Sequence, residues 1–170
     1  NPFAIGPEHT PFKEDLQLSY TPDTKHRKKM KNLGFYRYDK YNEEWNYVTT
    51  ENVDNKIYGN INKGGIYTII IDESSPDIYN IFPHTGSKYR QKDVDKVEFF
   101  TNDELSGIDS EKNIEIILDS EPLIVEYNSY QEKVTGYLSQ KLAIGEHTIN
   151  IKVSDNSNNQ KIINGVFEVK

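Results

Sequence analysis

Four histidines are the first residues to ask about: His9, His26, His84 and His147. A catalytic zinc centre needs three such ligands and a vacant position for water. None of the four stands in H-E-x-x-H, H-x-H or H-x-x-x-D. His147 has a structural reading instead. It opens an alternating stretch just after Gly145, where its ring can cap a corner by bonding a nearby backbone group, much as a tyrosine corner does. Serine chemistry fares no better, since neither G-x-S-x-G nor S-x-x-K occurs. There is no P-loop and no G-x-G-x-x-G. Carboxylates are plentiful, but nothing in the spacing fixes two of them at glycosidase separation. The chain is expected not to be an enzyme and to need no cofactor.

Two oxygen-rich stretches remain. Asp103 and Asp109, with Asp155, Asn156 and Asn158, offer the hard oxygens that calcium takes six to eight at a time. The same stretches read as Asx turns, in which short polar side chains satisfy the N–H groups of their own loop. Neither matches an EF-hand loop, so the turn reading is preferred and no metal is expected. The two loops are expected at one end of the second domain.

Aromatic residues are dense between Phe35 and Tyr67. A flat exposed row of Tyr36, Tyr38, Tyr41, Trp45 and Tyr47 would stack on sugar rings, offering large area at low entropy cost. The alternative is that alternate members are core and the others pair across strands on a solvated face. Trp45, the single tryptophan, is expected to anchor a small core. The cations Lys25, Arg27, Lys28, Lys29 and Lys31 form a cluster that reads as a solvated basic loop over 24–31.

The elements that must carry these residues are strands. The 170 residues include little alanine and one methionine, against much Ile, Asn, Tyr and Thr, a mix that favours strand. No stretch keeps apolar residues at helical spacing over three turns. Alternation recurs instead at 16–20, 34–38, 45–48, 57–61 and 65–72. In the second half it recurs at 78–82, 96–101, 114–118, 123–127, 134–138, 147–153 and 163–169. Seven strands at such intervals suit a sandwich. The polar run Asp72-Glu-Ser-Ser-Pro76 marks a boundary, giving domains over 1–75 and 76–170. The charge steps there from 10 basic and 11 acidic residues to 10 basic and 16 acidic. An overall net charge of −7 argues against nucleic acid and anionic membrane as partners, and no apolar run is long enough for a membrane span. The chain has no cysteine, so there is no thiolate site or disulfide framework. It opens on Asn1, which reads as a piece cut from a longer protein or a mature product.

The second half resembles a bacterial immunoglobulin-like module. The residues that carry the likeness are Asp103-Glu-Leu-Ser-Gly-Ile-Asp109, Ile116-Ile-Leu-Asp119, Leu142-Ala-Ile-Gly-Glu-His147 and Val153-Ser-Asp155. Ser120 stands where that family's hairpin glycine is usual, and Asn158-Asn159 where it has Gly-Asn. The first half is similar to a reduced ZU-type β domain, through Ile5-Gly-Pro-Glu8, Phe12, Leu16-Gln-Leu18, Phe35-Tyr-Arg-Tyr38, Trp45 and Gly65-Ile-Tyr-Thr68. Asp15 departs from that family's pattern. Such pairs recur at the tails of large secreted and surface bacterial proteins, some with lysostaphin-type peptidases. The resemblance implies an all-β chain of two sandwich-type domains in tandem, the second immunoglobulin-like. It implies an extracellular, cell-surface or periplasmic setting and an accessory role as spacer, scaffold or adhesion and docking region. The partners expected are other domains of the parent protein and cell-wall or extracellular polysaccharide. The rival reading is a carbohydrate-binding module using the first-domain aromatics.

Overall fold

A computed structural model describes residues 1–170. The chain is all-β: 56% of it is strand, every helical segment is a short 3-10 turn, and the sheets are antiparallel apart from one short parallel pairing. Contacts divide it into two compact units, Asn1–Ser74 with Asn156–Asn159, and Ser75–Asp155 with Gln160–Lys170. Each sheet draws all its strands from one unit.

The first unit holds seven strands: β1 (Phe3–Ile5), β2 (Pro11–Tyr20), β3 (Leu33–Asp39), β4 (Glu44–Val48), β5 (Thr50–Val53), β6 (Lys56–Lys63) and β7 (Gly65–Ile71). They form one sheet of order β1-β7-β3-β4 and another of order β2-β6-β5. The β3–β4 hairpin turns through Asp39, whose Oδ1 accepts the backbone N–H of Tyr41 at 2.8 Å. Its register pairs Phe35 with Val48, Tyr36 with Tyr47 and Tyr38 with Trp45. The core is small: Leu33, Phe35 and Ile57 are buried, with Leu18, Tyr20, Met30, Val48, Ile69 and Ile71 packed on them. Gly59 lets the Phe35 ring lie against β6, since a Cβ there would come within 2.7 Å of the ring. The segment Asn156–Asn159 is tied in by Asn32, whose Nδ2 donates to Asn159 Oδ1 at 2.7 Å and to the Ser157 carbonyl at 3.3 Å.

Two expectations fail in this unit. The basic stretch is not simply a loop, because His26–Asn32 winds as a 3-10 helix. Asp23 Oδ1 accepts the His26 N–H at 2.9 Å, and Met30 supplies the apolar contact that the charge run concealed. Nor is Trp45 the core anchor. It is only half-buried and tilts against Tyr38 at 5.0 Å, on the face of the hairpin opposite Phe35. The large buried rings on the core face are Phe35 and Tyr67, each 1% exposed.

The second unit holds β8 (Asp77–Phe82), β9 (Lys88–Tyr89), β10 (Lys96–Asn102), β11 (Ile114–Leu118), β12 (Glu121–Pro122), β13 (Ile124–Asn128), β14 (Lys133–Tyr137), β15 (Gly145–Ser154) and β16 (Gln160–Val169). One sheet runs β13-β14-β10-β8, the other β12-β11-β15-β16-β9. Period-2 alternation puts Val97 and Phe99, Ile114 and Ile116, and Ile149, Ile151 and Val153 inside. With Val134, Phe167 and others they form a core of fourteen buried residues.

Candidate functional site

Several side chains able to do chemistry bond the chain's own backbone, His147, Asp119 and Asp103 among them. His147 opens β15 with its ring 6% exposed and stacked on Phe167 at 5.4 Å. Its Nδ1 meets Asp119 Oδ2 at 2.5 Å, and its Nε2 meets the Ala143 carbonyl at 2.9 Å. Asp119 Oδ1 in turn accepts the Thr148 N–H at 2.8 Å. Both ring nitrogens therefore face acceptors, and a neutral imidazole has one N–H to give. Burial works against the charged ring, but the Asp119 hydrogen bond and charge and the Ala143 carbonyl outweigh it, so the His147 pKa lies above the ordinary value. The ring is a corner clamp of the expected kind. Asp119 was not foreseen as its partner. It lies in the hairpin turn where Asp119 and Ser120 take φ of 50° and 72°.

The oxygen-rich loops behave likewise. Asp103 Oδ2 accepts the N–H groups of Gly107 at 2.8 Å and Leu105 at 3.3 Å, an Asx-type loop. Asp103 and Asp155, both in the second unit, have carboxylate oxygens within 4.8 Å of each other, so the first loop lies beside the start of the second. Asp155 is buried, and Asp109 is exposed and outside that group. Asn156 and Asn158 belong to the first unit, where Asn156 offers its carbonyl to the Tyr47 hydroxyl at 3.4 Å and Asn158 takes a φ of 64°.

The aromatic residues do not form one exposed row. Tyr36 is fully buried and edge-on to Tyr47 at 5.4 Å. Tyr38, Trp45 and Tyr47 are half-buried. Tyr41, at the hairpin tip, is 94% exposed. Among the cations, Lys29 pairs with Glu73 at 2.6 Å. His9 and His26 lie in the first unit beside Glu8 and Asp23, and His84 is exposed in the second.

One residue escaped sequence reasoning. Alternation already placed Arg37 on the same face of β3 as Phe35, which is the core face. A cation there is the signal of a polar interior, and the structure has one. A cavity of about 240 Å³ lies beside Arg37, lined also by Asp15, Asn46, Asn60, Asn62 and Lys63.

No protein-family model matches the chain, and no curated protein is similar to it. Among solved structures it is similar to CopC from Methylosinus trichosporium OB3b, at 14% identity over 57% of this chain and 94% of that one, with a TM-score of 0.46. It is also similar to PcoC, a methionine-rich copper resistance protein from Escherichia coli, at 13% identity over 57% and 100%, with a TM-score of 0.45. Dimeric latent PorU from Porphyromonas gingivalis matches 81% of this chain with 19% of its own, at 12% identity and a TM-score of 0.39.

Proposed function

We propose that the chain is a non-catalytic β-sandwich module of a secreted or surface bacterial protein, serving as spacer, scaffold or docking region for the rest of its parent. The observation that carries this reading is the His147 clamp. The side chain best suited to general-base work has both nitrogens turned to an internal carboxylate and an internal carbonyl. Asp103 is likewise held by its own loop. The strand order of the second unit supports an immunoglobulin-like assignment. Four strands, β13-β14-β10-β8, and the run β11-β15-β16 correspond to the two sheets of that sandwich. No helix is long and apolar enough to cross a membrane.

Sugar binding by the first unit is the second reading, favoured by the exposure of Tyr41 at the hairpin tip beside the Tyr38–Trp45 pair. A pull-down of the whole chain on insoluble cell-wall and plant polysaccharides separates the two. The module reading expects the protein to stay in solution. Depletion that is lost in Tyr41→Ala and Trp45→Ala, with both variants folded, would replace it by the sugar-binding reading. Force spectroscopy of the chain between handles supplies a positive sign: a spacer gives discrete unfolding peaks for its units, whereas gradual extension without peaks contradicts mechanical support.

A further inference from the structure

The interior of the first unit changes character along β3. Phe35 lies in the apolar core, and two residues on, Arg37 occupies the same inward face. Arg37 stands in a transverse row across the sheet, with Tyr67 opposite it on β7 and Asn46 opposite it on β4. Gly65 leaves room for its stem, since a Cβ there would sit 3.4 Å from Arg37 Cγ and Cδ. Its Nη1 is buried and has no hydrogen-bond acceptor. A buried guanidinium N–H without a partner costs on the order of 1–3 kcal/mol, more for a charged group, so something normally accepts from it.

The cavity beside it supplies the rest of a site. Two cations, Arg37 and Lys63, face one carboxylate, Asp15, so the lining carries a net positive charge. Asn46, opposite Arg37 on β4, offers a side-chain amide that both donates and accepts, whereas Asn60 and Asn62 flank the buried Ile61 on the exposed face of β6. Tyr67 closes the wall, its hydroxyl spent on the Lys63 carbonyl at 2.6 Å. At about 240 Å³ the space falls below the ~300 Å³ at which pockets for drug-sized ligands begin, and suits a ligand of one ring.

We propose that this cleft between the two sheets of the first unit binds a single acidic sugar of the uronate type, its carboxylate on Arg37 and its hydroxyls on the Asn46 amide and Asp15. Arginine is the residue for planar recognition of a carboxylate, because its fork gives two parallel N–H bonds. The Asn46 amide matches a ring hydroxyl, which needs a partner that both donates and accepts. Asp15 favours hydroxyl donors at its end of the cleft and so sets the ligand's direction. This site is separate from the Tyr41 surface, so it stands whether or not that surface binds polysaccharide.

The test is a titration of the ¹⁵N-labelled whole chain with galacturonate, followed at the Arg37 Nε–H and the side-chain amide of Asn46, with galactose and acetate as controls. The proposal expects saturable shifts at millimolar galacturonate, weaker ones with either control, and a loss of about tenfold in affinity (about 1.4 kcal/mol) in Arg37→Lys, which keeps the charge but not the fork. Asn46→Ala trims a half-buried amide opposite Arg37 and should weaken binding a few-fold in a folded protein. A short oligogalacturonate that binds as the monomer does would identify the ligand as a chain end, and binding of the monomer alone a free sugar. No saturable shift, an equal response to galactose, or an unchanged isotherm in a folded Arg37→Lys would overturn it, leaving water as the partner of Nη1.

Discussion

The two units solve one problem with very different means. The second buries fourteen residues between its sheets, and the first buries three in its main cluster. Strand patterning does not account for the gap, because both alternate. The difference lies in what the inward positions hold. In the second unit they are Val, Ile, Leu and Phe almost throughout. In the first, the inward face of β3 passes from Phe35 to Arg37, and that of β4 from Val48 to Asn46. A sandwich that gives one end of its interior to polar groups gives up stability there. The first unit also leans on hydrogen bonds such as those of Asn32.

The largest effect should come from the same truncation made in each unit. Phe35→Ala and Phe99→Ala each remove a ring that is 1% exposed or less, at a cost of about 3–5 kcal/mol. The first should unfold its unit outright. The second should lower the melting temperature of its unit and leave it folded. Near-ultraviolet circular dichroism and urea titration of both variants check this, and equal damage would break the comparison.

Next comes the clamp of the second unit. Asp119→Ala should cost about 1–3 kcal/mol, because it strands a buried ring nitrogen and the Thr148 N–H. The wild-type clamp should also respond to pH. The folded pKa of His147 is raised above its unfolded value near 6.5. Its stabilisation is therefore full below about 6.5 and fades as pH rises through the folded pKa. Urea midpoints of the second unit should fall over that window in the wild type and stay flat in His147→Gln. A wild-type midpoint that rises instead would mean the ring is held neutral.

Trp45→Ala should do less, about 1–2 kcal/mol, since the ring is half-buried and its main aromatic partner is Tyr38. Unfolding of the first unit by this change alone would restore Trp45 as an anchor. The smallest effect should be Glu98→Gln. Glu98 meets Lys133 at 2.6 Å and Lys96 at 3.0 Å, and these partners hold its pKa below the ordinary value against partial burial. Its contribution is present above the unfolded pKa near 4.5 and lost as pH falls through the lowered one. At a largely solvated pair it amounts to about 0–1 kcal/mol, to be read from a double-mutant cycle with Lys133→Met.

Much of this architecture is legible in period-2 alternation. The seven stretches read in the second half all match strands to within a residue, because their inward residues are mostly apolar, Thr101 and His147 apart, and register follows. The unforeseen strands are short, such as Lys88–Tyr89 and Glu121–Pro122, where two residues cannot show a period. The helical turn at His26–Asn32 was hidden because it shows no apolar face, only the hydrogen bond from the His26 N–H to Asp23 and one Met30 contact. His147 was readable as a corner because it follows a glycine at the head of an alternating run. Asp119 was not, since 28 residues separate the pair and only the pairing of β11 with β15 brings them together. Trp45 misled because residue type ranks burial by size, whereas the β3–β4 register decides which face meets the core. The Arg37 cavity was half legible, as a charge on a core face.

Native-state hydrogen exchange on the whole chain tests the central claim, the inequality of the two cores, most directly. The backbone amides of Leu33, Phe35 and Ile57 report on one core and those of Val97, Phe99 and Ile151 on the other. The account predicts that the first set opens with a clearly lower free energy, while the second set stays protected under the same mild denaturant. Equal opening free energies for the two sets, with the same denaturant dependence, would contradict it.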